Sequence, residues 1–72
     1  MYTTEQMLKV IANSKSENSA YLAKQILNGE STIEETIKYC GSFMKEVLKG
    51  NYYDALDRAD SYNLQALKSL ED

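Results

Sequence analysis

The chain has 72 residues, a net charge of −3, no histidine, no proline and one cysteine. A lone cysteine excludes an intramolecular disulfide, the lack of histidine or a cysteine cluster leaves no soft-ligand metal site, and the acidic balance argues against general binding of phosphate backbones. Apolar content of 43% is too high for a disordered chain, and the length makes one domain, 1–72, small enough that self-association is the staple left to it.

Thr3 reads as an N-cap with Gln6 three residues on, and Met7, Leu8, Val10 and Ile11 follow at helical spacing. This capping box predicts a first helix from Thr4 to Ala12. Asn13-Ser14-Lys15-Ser16 carries side chains that bond nearby backbone and stop a helix, with Ser16 or Ser14 capping the next one. A second helix is expected from Glu17 to Asn28, closed by Asn28-Gly29. Its period sets Ala20, Leu22, Ala23, Ile26 and Leu27 against Glu17, Asn18, Tyr21, Lys24, Gln25 and Asn28. The two alanines are expected to let it approach the next helix closely.

Ser31 to Gly50 reads as one amphipathic helix of about five turns, around which the rest packs. Ile33, Ile37, Cys40, Met44, Val47 and Leu48 share a face, with Glu34, Glu35, Lys38, Ser42, Lys45 and Lys49 opposite. Ser31 with Glu34 forms a capping box, and Gly50 takes the left-handed closing turn. Asn51 then caps a fourth helix with Asp54 and Asp57 near its positive end. Its broad apolar arc of Tyr52, Leu56, Ala59, Ala66, Leu67 and Leu70 contains Asp60 and Asn63. Either the helix breaks at Asp60-Ser61, with one of them as a new cap, or these polar groups face something polar.

No β-alternation competes, so the expected fold is all-α, a small bundle of four to five short helices joined by tight turns. Its expected core is Ile33, Ile37, Cys40, Met44, Val47, Leu48, Ile26, Leu27, Leu8, Ile11, Leu56 and Leu67. LNGE at 27–30 and LKGN at 48–51 repeat one punctuation and mark two helix junctions rather than a duplication.

Two local resemblances add to this reading. Ser19 to Ile37, SAYLAKQILNGESTIEETI, resembles the second half of a Cro/repressor-type helix-turn-helix domain, which implies a recognition helix presenting Asn18, Tyr21, Lys24, Gln25 and Asn28 to DNA. The chain departs from that pattern upstream: Ser14 to Asn18 are all polar, the loop is several residues longer, and Glu17 would repel phosphate. Gly50 to Ala59, GNYYDALDRA, is similar to the turn and second-helix start of tetratricopeptide repeats, without their 34-residue period. That likeness implies a helical hairpin with Tyr52 packed beneath the turn and Ala55 at a close helix approach.

Residues 51–72 carry a net −3 whereas residues 1–28 carry +1. The acidic third also holds Tyr52, Tyr53 and Tyr62, and tyrosine suits a boundary between apolar and wet surface. Tyr52, Tyr53, Asp54, Asp57, Asp60 and Tyr62 are therefore the candidate partner-binding set, and an Asp54–Arg58 pair is expected at i,i+4. The same broad arc predicts a two-fold dimer, with Asn63 setting register against its symmetry mate. Cys40 has no histidine or same-face lysine to make a thiolate, and Glu34 and Glu35 read as surface partners of Lys38, so no catalytic residue and no cofactor is expected. The expected function is non-enzymatic: a small acidic regulator or inhibitor of phage or mobile-element type, cytoplasmic and without a membrane segment, that binds a larger protein. The alternative is a dimeric helix-turn-helix DNA binder.

Overall fold

The structure, a computed structural model, describes residues 1–72. It is all-α, with six helices: α1 Thr4–Ile11, α2 Glu17–Leu27, α3 Ile33–Ile37, α4 Ser42–Leu48, α5 Tyr52–Arg58 and α6 Ser61–Lys68, followed by a 3-10 turn over Ser69–Glu71. The helix count exceeds the expected four to five because two predicted helices are each divided.

The first division falls in the stretch expected to be one five-turn helix. Here α3 runs out through Lys38 to Cys40, and Gly41 starts α4 as an extended N-cap at φ −73°, ψ 175°. A glycine inside a helix costs about 1 kcal/mol relative to alanine, and breaking there frees α3 to rotate about its own axis. In the structure Thr36 is fully inaccessible and Ile33 is 39% exposed. The buried threonine hydroxyl is satisfied locally, donating to the Thr32 carbonyl at 2.8 Å. The cap of α3 is Thr32 rather than Ser31: its hydroxyl accepts from the Glu35 backbone N–H at 3.1 Å and donates to the Glu35 carboxylate.

The second division is the break at Asp60. Ala59 leaves α5 in extended conformation, and the Asp60 side chain accepts from the Asn63 N–H at 2.8 Å to open α6. The Thr3–Gln6 capping box forms as expected, in both directions.

The two echoed tetrapeptides are two copies of one helix stop. Gly29 and Gly50 adopt φ of 78° and 80°, and each lets the following N–H reach back five residues, Glu30 to the Gln25 carbonyl and Asn51 to the Glu46 carbonyl. A left-handed residue at this position is what a Schellman stop requires, and glycine takes it without a Cβ penalty.

The hub of the bundle is α1, not the Ser31–Gly50 stretch. α1 packs on α2, α4, α6 and the final 3-10 turn, while α4 packs most closely on α5. Met7, Leu8 and Ile11 of α1 are buried with Ala23, Cys40, Met44, Val47, Leu48, Tyr52, Ala55 and Leu67 in one cluster; a large apolar side chain fully buried contributes about 1.5–3 kcal/mol. The alanines of α2 serve close approach to α1 rather than to the following helix. Leu27 joins Ile33 outside the core at 39% exposure, and Ile26, Ile37 and Leu56 are only half-buried. The Thr4 hydroxyl donates to the Val47 carbonyl at 2.9 Å, so the start of α1 covers the end of α4. Two residues before Thr4 the Tyr2 hydroxyl donates to the Leu70 carbonyl at 3.0 Å, tying the two termini together.

Candidate protein interface on helix α5

The turn before α5 fixes what that helix can present. Glu46 lies at its base with its side chain 14% exposed, accepts from the Asn51 amide at 3.0 Å, and stands 3.9 Å from both Lys49 and Arg58. The Asn51 hydrogen bond, with the two cations assisting, holds the Glu46 carboxyl below the usual carboxylate range against the opposing effect of desolvation. Asn51 thus serves the hairpin through Glu46 and gives α5 no side-chain cap.

From this start, Tyr52 and Ala55 point inward at 1% and 0% exposure. Both belong to the buried cluster, and α5 packs most closely on α4. Tyr52 is therefore withdrawn from the partner-binding set. Its ring meets Tyr2 edge-on at 4.7 Å and Tyr53 at 5.4 Å, and its hydroxyl donates to the Leu67 carbonyl at 3.0 Å. Burial, reinforced by Glu71, pushes its phenol up from the ordinary value.

The outward positions are Tyr53, Asp54 and Asp57. Tyr53 is 64% exposed while its ring edge rests on Tyr52, so an aromatic side chain is both solvent-facing and braced. Beside it lies a depression of about 150 Å³ lined by Met1, Gly50, Asn51, Tyr52, Tyr53 and Asp54. Arg58 pairs with Glu46 instead of Asp54, which leaves Asp54 and Asp57 without an ion pair. No ion pair joins Glu34 or Glu35 to Lys38 either; the chain's third salt bridge is Glu5–Lys9.

The rest of the predicted set is dispersed. Asp60 is spent as the α6 cap. Tyr62, 49% exposed, lines a different groove of about 290 Å³ with Val10, Asn13, Lys15 and Gln65. Asn63 is buried at 2% and donates from Nδ2 to the Ser19 hydroxyl of α2 at 3.0 Å. It is committed within the chain and cannot register a symmetry mate. With α5 and α6 separated at Asp60, the arc is divided between α5, packed on α4, and α6, packed on α1, and Leu56, Ala59, Ala66 and Leu70 of it are half-buried.

On α2, Asn18, Tyr21, Lys24 and Asn28 are exposed, while Gln25 is half-buried and donates to the Tyr21 hydroxyl at 3.0 Å. Tyr21 and Lys24 line a depression of about 440 Å³ with Ser14, Lys15, Glu17 and Ala20. The residue that sequence reasoning passed over is Lys15, which lines both this depression and the Tyr62 groove; its one signal was a cation in an otherwise uncharged polar loop. Cys40 is buried, and desolvation raises its thiol above the ordinary value despite Lys45 nearby. No group of three or more Cys, Asp or Glu side chains is gathered to hold a metal ion, and no helix is long and apolar enough to cross a membrane.

No family model, curated protein or solved structure matches the chain.

Proposed function

We propose that the chain is a non-enzymatic protein-binding module, a small acidic regulator or inhibitor that docks the outer face of α5 on a basic surface of a larger protein. The observation that carries this reading is Tyr53, two-thirds exposed yet supported by Tyr52 and flanked by two carboxylates that no cation neutralises. Rigid aromatic rings lose little entropy when an interface closes over them, and unpaired carboxylates steer a cationic partner. The net −3 of residues 51–72 acts in the same direction. A phage or mobile-element source fits a protein of this size and charge.

The competing reading is DNA binding through Asn18, Tyr21, Lys24, Gln25 and Asn28. Glu17 at the start of α2 and the engagement of Gln25 with Tyr21 weaken that face as a groove reader. Affinity capture from host lysate beside a gel shift on mixed duplex DNA at low salt separates the two. A stoichiometric protein lost on Tyr53→Ala and Asp57→Lys, with no DNA shift, supports the proposal. DNA retardation that Lys24→Glu abolishes and salt weakens overturns it.

A further inference from the structure

The molecule carries two unneutralised surfaces of opposite sign. On α5, Asp54 and Asp57 stand three residues apart on one face beside the exposed Tyr53, and neither is in an ion pair. On the α1–α2 side, Lys15 and Lys24 stand on one depression of about 440 Å³ with Tyr21, which is 62% exposed, and neither lysine has an acidic partner within the chain. The three ion pairs present use Glu5–Lys9, Glu46–Lys49 and Glu46–Arg58, so every charge on these two surfaces is free.

We propose that the Lys15–Lys24 depression receives the Tyr53–Asp57 face of a second copy, so that the chain self-associates head to tail. This rests on the reading of the α5 face as a protein-binding surface and assigns that face a resting occupant. Asp54 and Asp57 are spaced as neighbours on a helix surface, about 5–6 Å between Cβ atoms, and two lysines on flexible stems can meet them together. The Tyr53 ring enters a depression walled by Tyr21 and by cations that are attracted to its face. Glu17 is the one acidic side chain lining the depression, and it weakens the contact without reversing its sign. The two patches differ, so a single such contact leaves one patch of each kind free to bind a further copy. Exposed ion pairs are individually weak and screened by salt, which makes the assembly loose, concentration-dependent and open to displacement by a basic partner that prefers the same α5 face.

Sedimentation equilibrium on the intact chain tests this. At about 0.5 mM protein and roughly 20 mM salt the wild type is expected to exceed its 8.2 kDa monomer mass, and to return to it in high salt. A variant with Asp54→Asn and Asp57→Asn, and another with Lys15→Gln and Lys24→Gln, are each expected to remain monomeric. Mixed together they are expected to form a capped one-to-one pair, since each keeps the half that the other lacks. All four substitutions lie on the surface, and circular dichroism verifies that the variants fold. A wild type that stays at the monomer mass at every salt concentration overturns the proposal, whatever the outcome of partner capture. Self-association indifferent to salt, or to both variant pairs, overturns it as well.

Discussion

The Tyr52 hydroxyl donates to the Leu67 carbonyl at 3.0 Å, across the break that separates α5 from α6. The bond sets the second helix against the first and gives a fully buried phenol its partner, while the neighbouring Tyr53 has only an edge contact and solvent. Adjacent tyrosines thus do opposite work. Tyr52→Phe is expected to lower stability by about 1–2 kcal/mol and Tyr52→Ala by about 3–5, whereas Tyr53→Ala stays within about 0.5. Thermal and urea melts read by circular dichroism check all three.

Asn63 and Ser19 make the corresponding polar tie between α6 and α2. The Asn63 Nδ2 has its partner, but Oδ1 is buried without one. Ser19→Ala strands the remaining amide group and is expected to destabilise by about 1–3 kcal/mol. Replacing both residues, Asn63→Leu with Ser19→Ala, removes the polar atoms together and is expected to cost less than the single change. A double-mutant cycle in urea measures the coupling directly.

What could be read in the sequence was chiefly the helix ends. Thr3 with Gln6, Gly29 and Gly50 each act within a few residues, so local chemistry was enough to place them, whereas at Asp60-Ser61 it left a break and a polar contact as alternatives and the cap undecided between the two residues. Gly41 misled because the apolar period runs straight through it, and nothing local says that Thr36 rather than Ile33 will turn inward. The fate of Tyr52 depends on Tyr2 and Leu67, and that of Asn63 on Ser19, 44 residues away. Sequence spacing cannot report such pairings. For the candidate interface, Tyr53, Asp54 and Asp57 were legible from charge and aromatic content, while their separation from Tyr62 required the break at Asp60 and the packing of α6 on α1.

Gly41 offers a direct test of the first division. Its φ of −73° is open to any residue, no atom lies within 4 Å of an added Cβ, and α4 has no side-chain cap. Gly41→Asp is expected to stabilise the fold by about 0.5–1 kcal/mol, a few tenths of it from accepting an N–H in the first turn of α4 and the rest from the smaller unfolded ensemble of a chain without this glycine. Were the stretch one continuous helix, Gly41→Ala would stabilise more than Gly41→Asp, since alanine is the better interior residue and the poorer cap.

Alkaline pH is expected to weaken the fold through Cys40 and Tyr52. Burial raises both groups above their ordinary values, so the folded chain holds its protons after the unfolded chain has begun to release them. Stability is then unaffected below the ordinary thiol value, about pH 8.5, and falls as pH rises through the interval between unfolded and folded values. Cys40→Ala removes the earlier of the two contributions. Melts at neutral pH and at roughly pH 9.5 are expected to show a smaller loss for that variant than for the wild type.

The acid limb belongs to Glu46. Its carboxylate accepts from Asn51 and faces Lys49 and Arg58 across the α4–α5 turn, and the hydrogen bond from Asn51 is the largest influence holding its value low. A depressed carboxyl stabilises the folded state at pH above the unfolded value, about 4.3, and this contribution disappears as pH falls through the folded one. Glu46→Gln keeps the shape but not the charge, so it is expected to melt below the wild type at pH 7, with the gap steady down to about pH 5 and closing beneath it. Asn51→Ala, which removes the largest influence while leaving the carboxylate, is expected to shift the wild-type acid limb toward higher pH. A gap between Glu46→Gln and wild type that does not change with pH would assign the stabilisation to packing of the side chain instead of its charge.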